Sequence, residues 1–206
     1  MSNAHAVSGT LPPEPEKATL EGRNKVLGFW LFLGGETVLF GTLFATFITL
    51  RHEINGGPSA EELFKLSTIA ISTFILLTSS LTSVLAMIAM HRTKVNQMYF
   101  WLIVTVLLGF GFLALEITEF IEYSHEKLTF SSSAFATSFY TLVGFHGAHV
   151  LFGVFWISLL IMQSYFKKGL TVVTAPKFYV ASLYWHFIDV VWVFIFTVVY
   201  LMGKVG

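Results

Sequence analysis

Five apolar segments, at approximately 26–50, 66–90, 98–121, 136–162 and 178–202, organise this chain. Each is near the ~20 residues needed to cross a hydrocarbon core of about 30 Å. In such a core every backbone N–H and C=O must be bonded within a helix or a closed barrel. Barrel strands would read as alternating stretches of about ten residues, and no such alternation occurs. The sequence therefore predicts an all-α integral membrane bundle of five transmembrane helices. The connections are short and polar: RHEINGGPSAEELFK, HRTKVNQ, YSHEKLTFSSS and QSYFKKGLTVVTAPK.

Composition excludes several alternatives. Of 206 residues, 55% are hydrophobic and 12% charged, whereas a soluble domain carries about a quarter charged residues. There is no cysteine, which removes disulfides, iron–sulfur clusters, thiolate nucleophiles and Cys-based zinc sites. A formal net charge of zero gives no reason to expect nucleic acid as a partner. Residues 1–25 are polar and rich in Pro and Glu, without the apolar region of a signal peptide. They are expected to form a disordered cytoplasmic tail, with residues 26–206 as the membrane domain. Lys17, Arg23, Lys25, Arg92, Lys94, Lys167, Lys168 and Lys177 fall on one side of five spans. Only Arg51, Lys65, Lys127 and Lys204 fall on the other. The excess predicts an N-terminus in the cytoplasm and a C-terminus outside.

Polar residues inside the spans are the candidates for function. A charged side chain at the centre of a helix in lipid costs about 2.5–3.5 kcal/mol on insertion scales. His186 and Asp189 nevertheless stand one turn apart in YWHFIDVVWVFIF, and His146 and His149 in GFHGAHV have the same i, i+3 spacing. That spacing places each pair on one helical face. Two readings compete. Histidines on different helices, such as His146 and His186, could clamp a haem. Alternatively, each could bond a carboxyl on a neighbouring helix and close a polar network. Glu36, in FLGGETVLF, lies about ten residues, roughly 15 Å, into the first span. Desolvation favours the neutral form of a carboxyl there. It could carry protons, ligate an ion, anchor a lipid or partner helix, or simply join two helices. Glu116, Glu119 and Glu122 step along the third span toward its end. Glu116 is expected to be buried and Glu122 interfacial, with a solvated helix end the plain alternative for Glu119 and Glu122.

The segments FLGGETVLFGTLFATF, EFIEYSHEKLTF, FYTLVGFHGAHVLFGVFWI and YWHFIDVVWVFIFTVVYL follow one another in this order. Together they resemble subunit III of the haem–copper terminal oxidases over residues 25–203. The five spans resemble the short bacterial form, and APKFYVASLYWHFIDVVWVFIFTVVYLMG is most similar to the caa3-type cytochrome c oxidases. The resemblance implies helices arranged in a V with phospholipid in its cleft. It implies no catalytic residue and no metal or cofactor in this chain, with haems and copper in partner subunits. Subunit I would be a direct partner, alongside subunit II and a subunit IV where one is present, with cytochrome c as donor to the complex. Glu36 matches the family's carbodiimide-reactive intramembrane carboxyl, to which lipid anchoring and support of proton uptake are attributed. Glu119 and Glu122 match its paired glutamates, and His146, His149, His186 and Asp189 its two signature motifs. Gln163 stands where some members carry a lipid-docking arginine, and Lys167 and Lys168 could reach a headgroup instead.

The expected function is that of an accessory, non-redox subunit of a proton-pumping oxidase in a bacterial cytoplasmic membrane. It would bind lipid and stabilise subunit I while the complex passes electrons from cytochrome c to O2. Subunit III of an aa3-type menaquinol oxidase is the near alternative. A stand-alone proton-coupled transporter using Glu36, and a haem-carrying membrane anchor, are the rivals of other classes.

Overall fold

The computed structural model describes residues 12–55, 65–166 and 170–205. Five helices in it are long and apolar enough to cross a membrane, and no strand occurs among the described residues. They are α1 (Leu20–Leu50), α2 (Leu66–His91), α3 (Val95–His125), α4 (Ala134–Phe166) and α5 (Ala175–Ile195). A π-helical segment, Phe196–Leu201, and a last turn, Met202–Val205, continue α5.

α3 and α4 overrun the predicted spans at both ends and α1 at its start, because polar residues still favour helix beyond the hydrocarbon. α1 starts at Leu20 rather than 26, capped by the Thr19 hydroxyl, which accepts from the Gly22 N–H at 3.0 Å. The expected tail is therefore partly folded: Pro15–Lys17 form one 3-10 turn. Glu16 in that turn is 1% exposed and pairs with His91, at the end of α2, across 3.2 Å. Gly22 permits this docking, since a Cβ there would lie 2.4 Å from the Glu16 carbonyl oxygen. Residues 1–11 of the predicted tail lie outside the described residues.

Two connections share one device. α2 ends with the Lys94 N–H donating to Ala89 O and the Thr93 N–H to Met90 O. α3 ends with Leu128 N–H donating to Tyr123 O and Lys127 N–H to Ser124 O. Both are Schellman endings, which require a left-handed residue. Thr93 (φ 57°) and Lys127 (φ 70°) occupy that position without being glycine.

α1 meets the bundle along a narrow stripe. Leu33, Phe40 and Phe47, each seven residues apart, are buried, while Leu27, Leu31 and Val38 are exposed. The stripe packs on α4 and α5: Phe47 faces Phe135 at 6.1 Å and Phe40 faces Phe187 at 6.4 Å between ring centroids. α2 pairs with α3, and α5 packs against α1, α2 and α4.

At the centre, Trp185 of α5 lies against glycines of two helices. A Cβ at Gly109 in α3 would meet its ring at 2.8 Å, and one at Gly153 in α4 would meet it at 3.0 Å. Its indole N–H donates to the Ser79 hydroxyl at 3.0 Å, and that of Trp192 donates to Thr73 at the same distance. Both tryptophans are thus satisfied by hydroxyls of α2, which keeps buried N–H groups from going unpaired in an apolar interior.

Candidate functional site

The intramembrane polar residues fall into three places, set by which neighbour each helix face meets. The first joins α1 to α4. Glu36 Oε2 lies 3.1 Å from His149 Nε2, and both side chains are mostly buried. His149 Nδ1 lies 2.6 Å from the Phe145 carbonyl oxygen, one turn back in α4. A carbonyl can only accept, so Nδ1 carries a hydrogen. Nε2 and the carboxyl then share one proton. Either the acid donates to a bare Nε2, or an imidazolium N–H donates to a carboxylate. In both forms the pair is neutral overall, which is how two titratable groups can sit in mid-span. Tyr184 of α5 donates to the His149 carbonyl at 3.2 Å, and Phe40 packs on the imidazole at 5.0 Å.

The second place is the α2–α5 contact. Ser80 Oγ lies 2.7 Å from His186 Nδ1, and Ser182 Oγ lies 3.5 Å from Nε2. Ser182 in turn bonds Ser83 at 2.8 Å. Asp189, one turn further along α5, is buried, and neither carboxyl oxygen makes a hydrogen bond of normal geometry among the described residues.

The third place is the end of α3. Successive steps of three residues turn about 60° around a helix of 3.6 residues per turn, so the three glutamates reach three surroundings. Glu116 lies flat on α4 at Gly147, where a Cβ would be 2.6 Å from its Oε2. Glu119 is buried, so it is not a solvated helix end. Glu122 is half-exposed and pairs with Lys65, at the start of α2. The hydrogen bond and charge of Glu122 raise the Lys65 ammonium above its ordinary value.

His146 and His149 do not act as one face. α4 lies between α3 and α1, and the 60° step sends His149 to Glu36 while His146 turns inward. His146 is fully buried, stacked on Trp192 at 5.2 Å and edge-on to Phe112 at 5.8 Å. His146 and His186 therefore face different partners rather than one another. No group of three or more His, Asp or Glu converges as a metal site among the described residues. Lys167 and Lys168 lie outside the described residues. Gln163 instead receives Lys177, whose ammonium donates to its Oε1 at 3.3 Å. The sequence counts Lys177 toward orientation but does not pair it with Gln163, because fourteen residues and a loop separate the two. Sequence reasoning passed over Ser80, Ser83 and Ser182, although serines at i and i+3 in LTSSLTS give one hydroxyl edge to α2.

The family model for cytochrome c oxidase subunit III matches residues 9–204. The chain belongs to the cytochrome c oxidase subunit III family. It is 63% identical over 198 residues to cytochrome c oxidase subunit 3 of Bacillus sp. strain PS3, covering 96% of this chain and 95% of that one. It is 58% identical over 207 residues to the protein of the same name from Alkalihalophilus pseudofirmus, covering both chains fully. Quinol oxidase subunit 3 of Bacillus subtilis is 48% identical over 202 residues, 98% of each chain. As a subunit III, the chain is a multi-pass membrane component of a multi-subunit haem–copper oxidase. In this fold His146 stacks on Trp192, while His149 and His186 make hydrogen bonds to Glu36 and Ser80 of other helices.

Proposed function

We propose that this subunit III is a non-redox, non-catalytic accessory chain, with haems and copper held by its partners. Its complex passes electrons from cytochrome c to O2 and moves protons outward across the bacterial cytoplasmic membrane. The chain packs directly on subunit I, beside subunit II, with its N-terminus in the cytoplasm and its C-terminus outside. It stabilises the catalytic subunit and carries phospholipid, in the cleft of a V where its helices part.

The single observation that carries the reading is the Glu36–His149 pair. A neutral, one-proton couple between α1 and α4 offers hydrogen bonding and a proton without a redox centre. That is the chemistry of a helper to proton uptake. Cytochrome c as donor is supported by identities of 63% and 58% to subunits so named. The menaquinol reading is the alternative, favoured by the 48% match to a quinol oxidase subunit.

Purification through a tag on this chain, with a visible spectrum and assays on cytochrome c and menaquinol, tests the reading. A haem-bearing complex that oxidises cytochrome c is expected. Oxidation of menaquinol alone would move the chain to the other branch. A colourless chain without partners would instead support a stand-alone proton-coupled transporter.

A further inference from the structure

A groove between α3 and α4 is separate from the Glu36 contact and unused by the reading above. Its cavity is about 440 Å3, within the about 300–1,000 Å3 of sites that hold one small ligand. Phe110, Leu113 and Phe120 of α3 and Gly144 and Gly147 of α4 line it around one polar side chain, Glu116. Its rim residues Phe110, Ile117 and Leu151 are exposed, so it opens sideways along the bundle. Glu116 is itself only 6% exposed, and its Oε1 has no hydrogen-bond partner among the described residues. A buried polar atom without a partner is costly in an apolar setting. With Glu116 as its one polar side chain, the groove suits a ligand that is apolar over most of its length and carries one hydrogen-bonding oxygen.

Depth selects that ligand. α3 has 31 residues, about 46 Å at 1.5 Å per residue, close to a bilayer with its headgroups, about 40–45 Å. The edge of a ~30 Å hydrocarbon core then lies roughly five residues inside the C-terminal end, near Phe120. Glu116 is one turn below that edge, and Leu113 and Phe110 continue toward the mid-plane. From the surface inward the order is interface, carboxyl group, apolar trough. A glycerolipid has the same order, with ester carbonyls at the hydrocarbon edge and a chain below. In its neutral form a carboxyl group can donate to such a carbonyl.

We infer that the α3–α4 groove seats one acyl chain of a membrane glycerolipid, with Glu116 donating a hydrogen bond to its ester carbonyl. The site deepens the lipid-binding reading proposed above and names a place for it distinct from Glu36. Gly147 is a positioning residue, since any side chain there would displace the Glu116 carboxyl.

The test uses the complete oxidase purified through this chain and exchanged into diester or diether phosphatidylglycerol, with retained lipid counted by native mass spectrometry. The diether has no carbonyl. Wild type and Glu116→Gln, whose amide still donates, are expected to prefer the diester about fivefold, the factor one ordinary hydrogen bond supplies. Glu116→Leu is expected to lose that preference. Gly144→Leu plugs the groove and is expected to hold one lipid fewer per complex. A Cβ at Gly144 meets nothing within 4 Å, and Gly144→Ala serves as the control that adds a side chain without filling the groove. Equal lipid counts and equal preference in all five proteins would overturn the inference. So would a Gly144→Cys thiol that cross-links to a partner subunit in wild-type lipid, which would make the groove a protein interface. The haem spectrum of each sample separates the two claims: a complex without haem fails the subunit reading, whereas a haem-bearing complex without the lipid differences fails only the groove.

Discussion

At the scale of single residues, the chain keeps some of its intramembrane titratable groups in lipid by pairing them across helices. Asp189 and Glu116 Oε1, by contrast, have no hydrogen-bond partner of normal geometry among the described residues. For Glu36 the partner is a histidine whose tautomer is fixed by its own helix, through the bond from Nδ1 to the Phe145 carbonyl. Glu36→Gln is therefore expected to assemble normally, because an amide N–H can donate to His149 Nε2 as the acid does. Glu36→Leu leaves that nitrogen unpaired and is expected to cost about 1–3 kcal/mol, read as a lower thermal midpoint of the purified complex. Failure of the Gln variant to assemble would contradict a shared single proton. The Glu36 carboxyl was legible in the sequence as a buried acid, but its partner was not. His149 lies 113 residues away, and His146 and His149 looked equivalent at i, i+3. Only the placement of α4 between α3 and α1 separates them.

At the scale of elements, glycine positions record where helices touch. Gly109→Ala would put a Cβ 2.8 Å from both the Trp185 ring and a Val154 methyl. An overpacked core of this kind is expected to lose about 1–3 kcal/mol. Gly111→Ala, where a Cβ meets nothing within 4 Å, is expected to leave stability unchanged or slightly raised, and thermal unfolding of the two variants side by side checks the contrast. The helix ends carry strain of the opposite kind. Thr93 holds a left-handed conformation that costs a β-branched residue about 1–2 kcal/mol. Thr93→Gly is expected to recover much of that, raising the midpoint. The five helices and their order were readable from hydrophobic length alone, since lipid forces backbone bonds inside each span. Their ends were not, because interfacial residues such as Thr19 cap or extend helices without being apolar. The packed turn at Glu16 escaped notice for a related reason. A short Pro- and Glu-rich stretch reads as unfolded until Gly22 and His91 provide a surface for it.

At the scale of the whole molecule, much of the polar interior joins one helix to another. The Trp185 and Trp192 N–H groups go to α2 hydroxyls, His186 to Ser80, and His149 to Glu36. The proposed accessory role rests on this scaffold. The family was legible in the sequence because four segments, two of them bearing the histidine motifs, follow in order over nearly the whole chain, whereas the α3–α4 groove depends on two helices meeting and left no motif. The most direct test compares the purified oxidase with and without this chain during continuous turnover on reduced cytochrome c. An accessory role requires an unchanged haem spectrum and O2 reduction from the first turnovers without the chain, followed by a progressive loss of activity that wild-type subunit III prevents. Absence of O2 reduction from the outset, or loss of haem with the chain, would contradict it by placing the chemistry in this subunit.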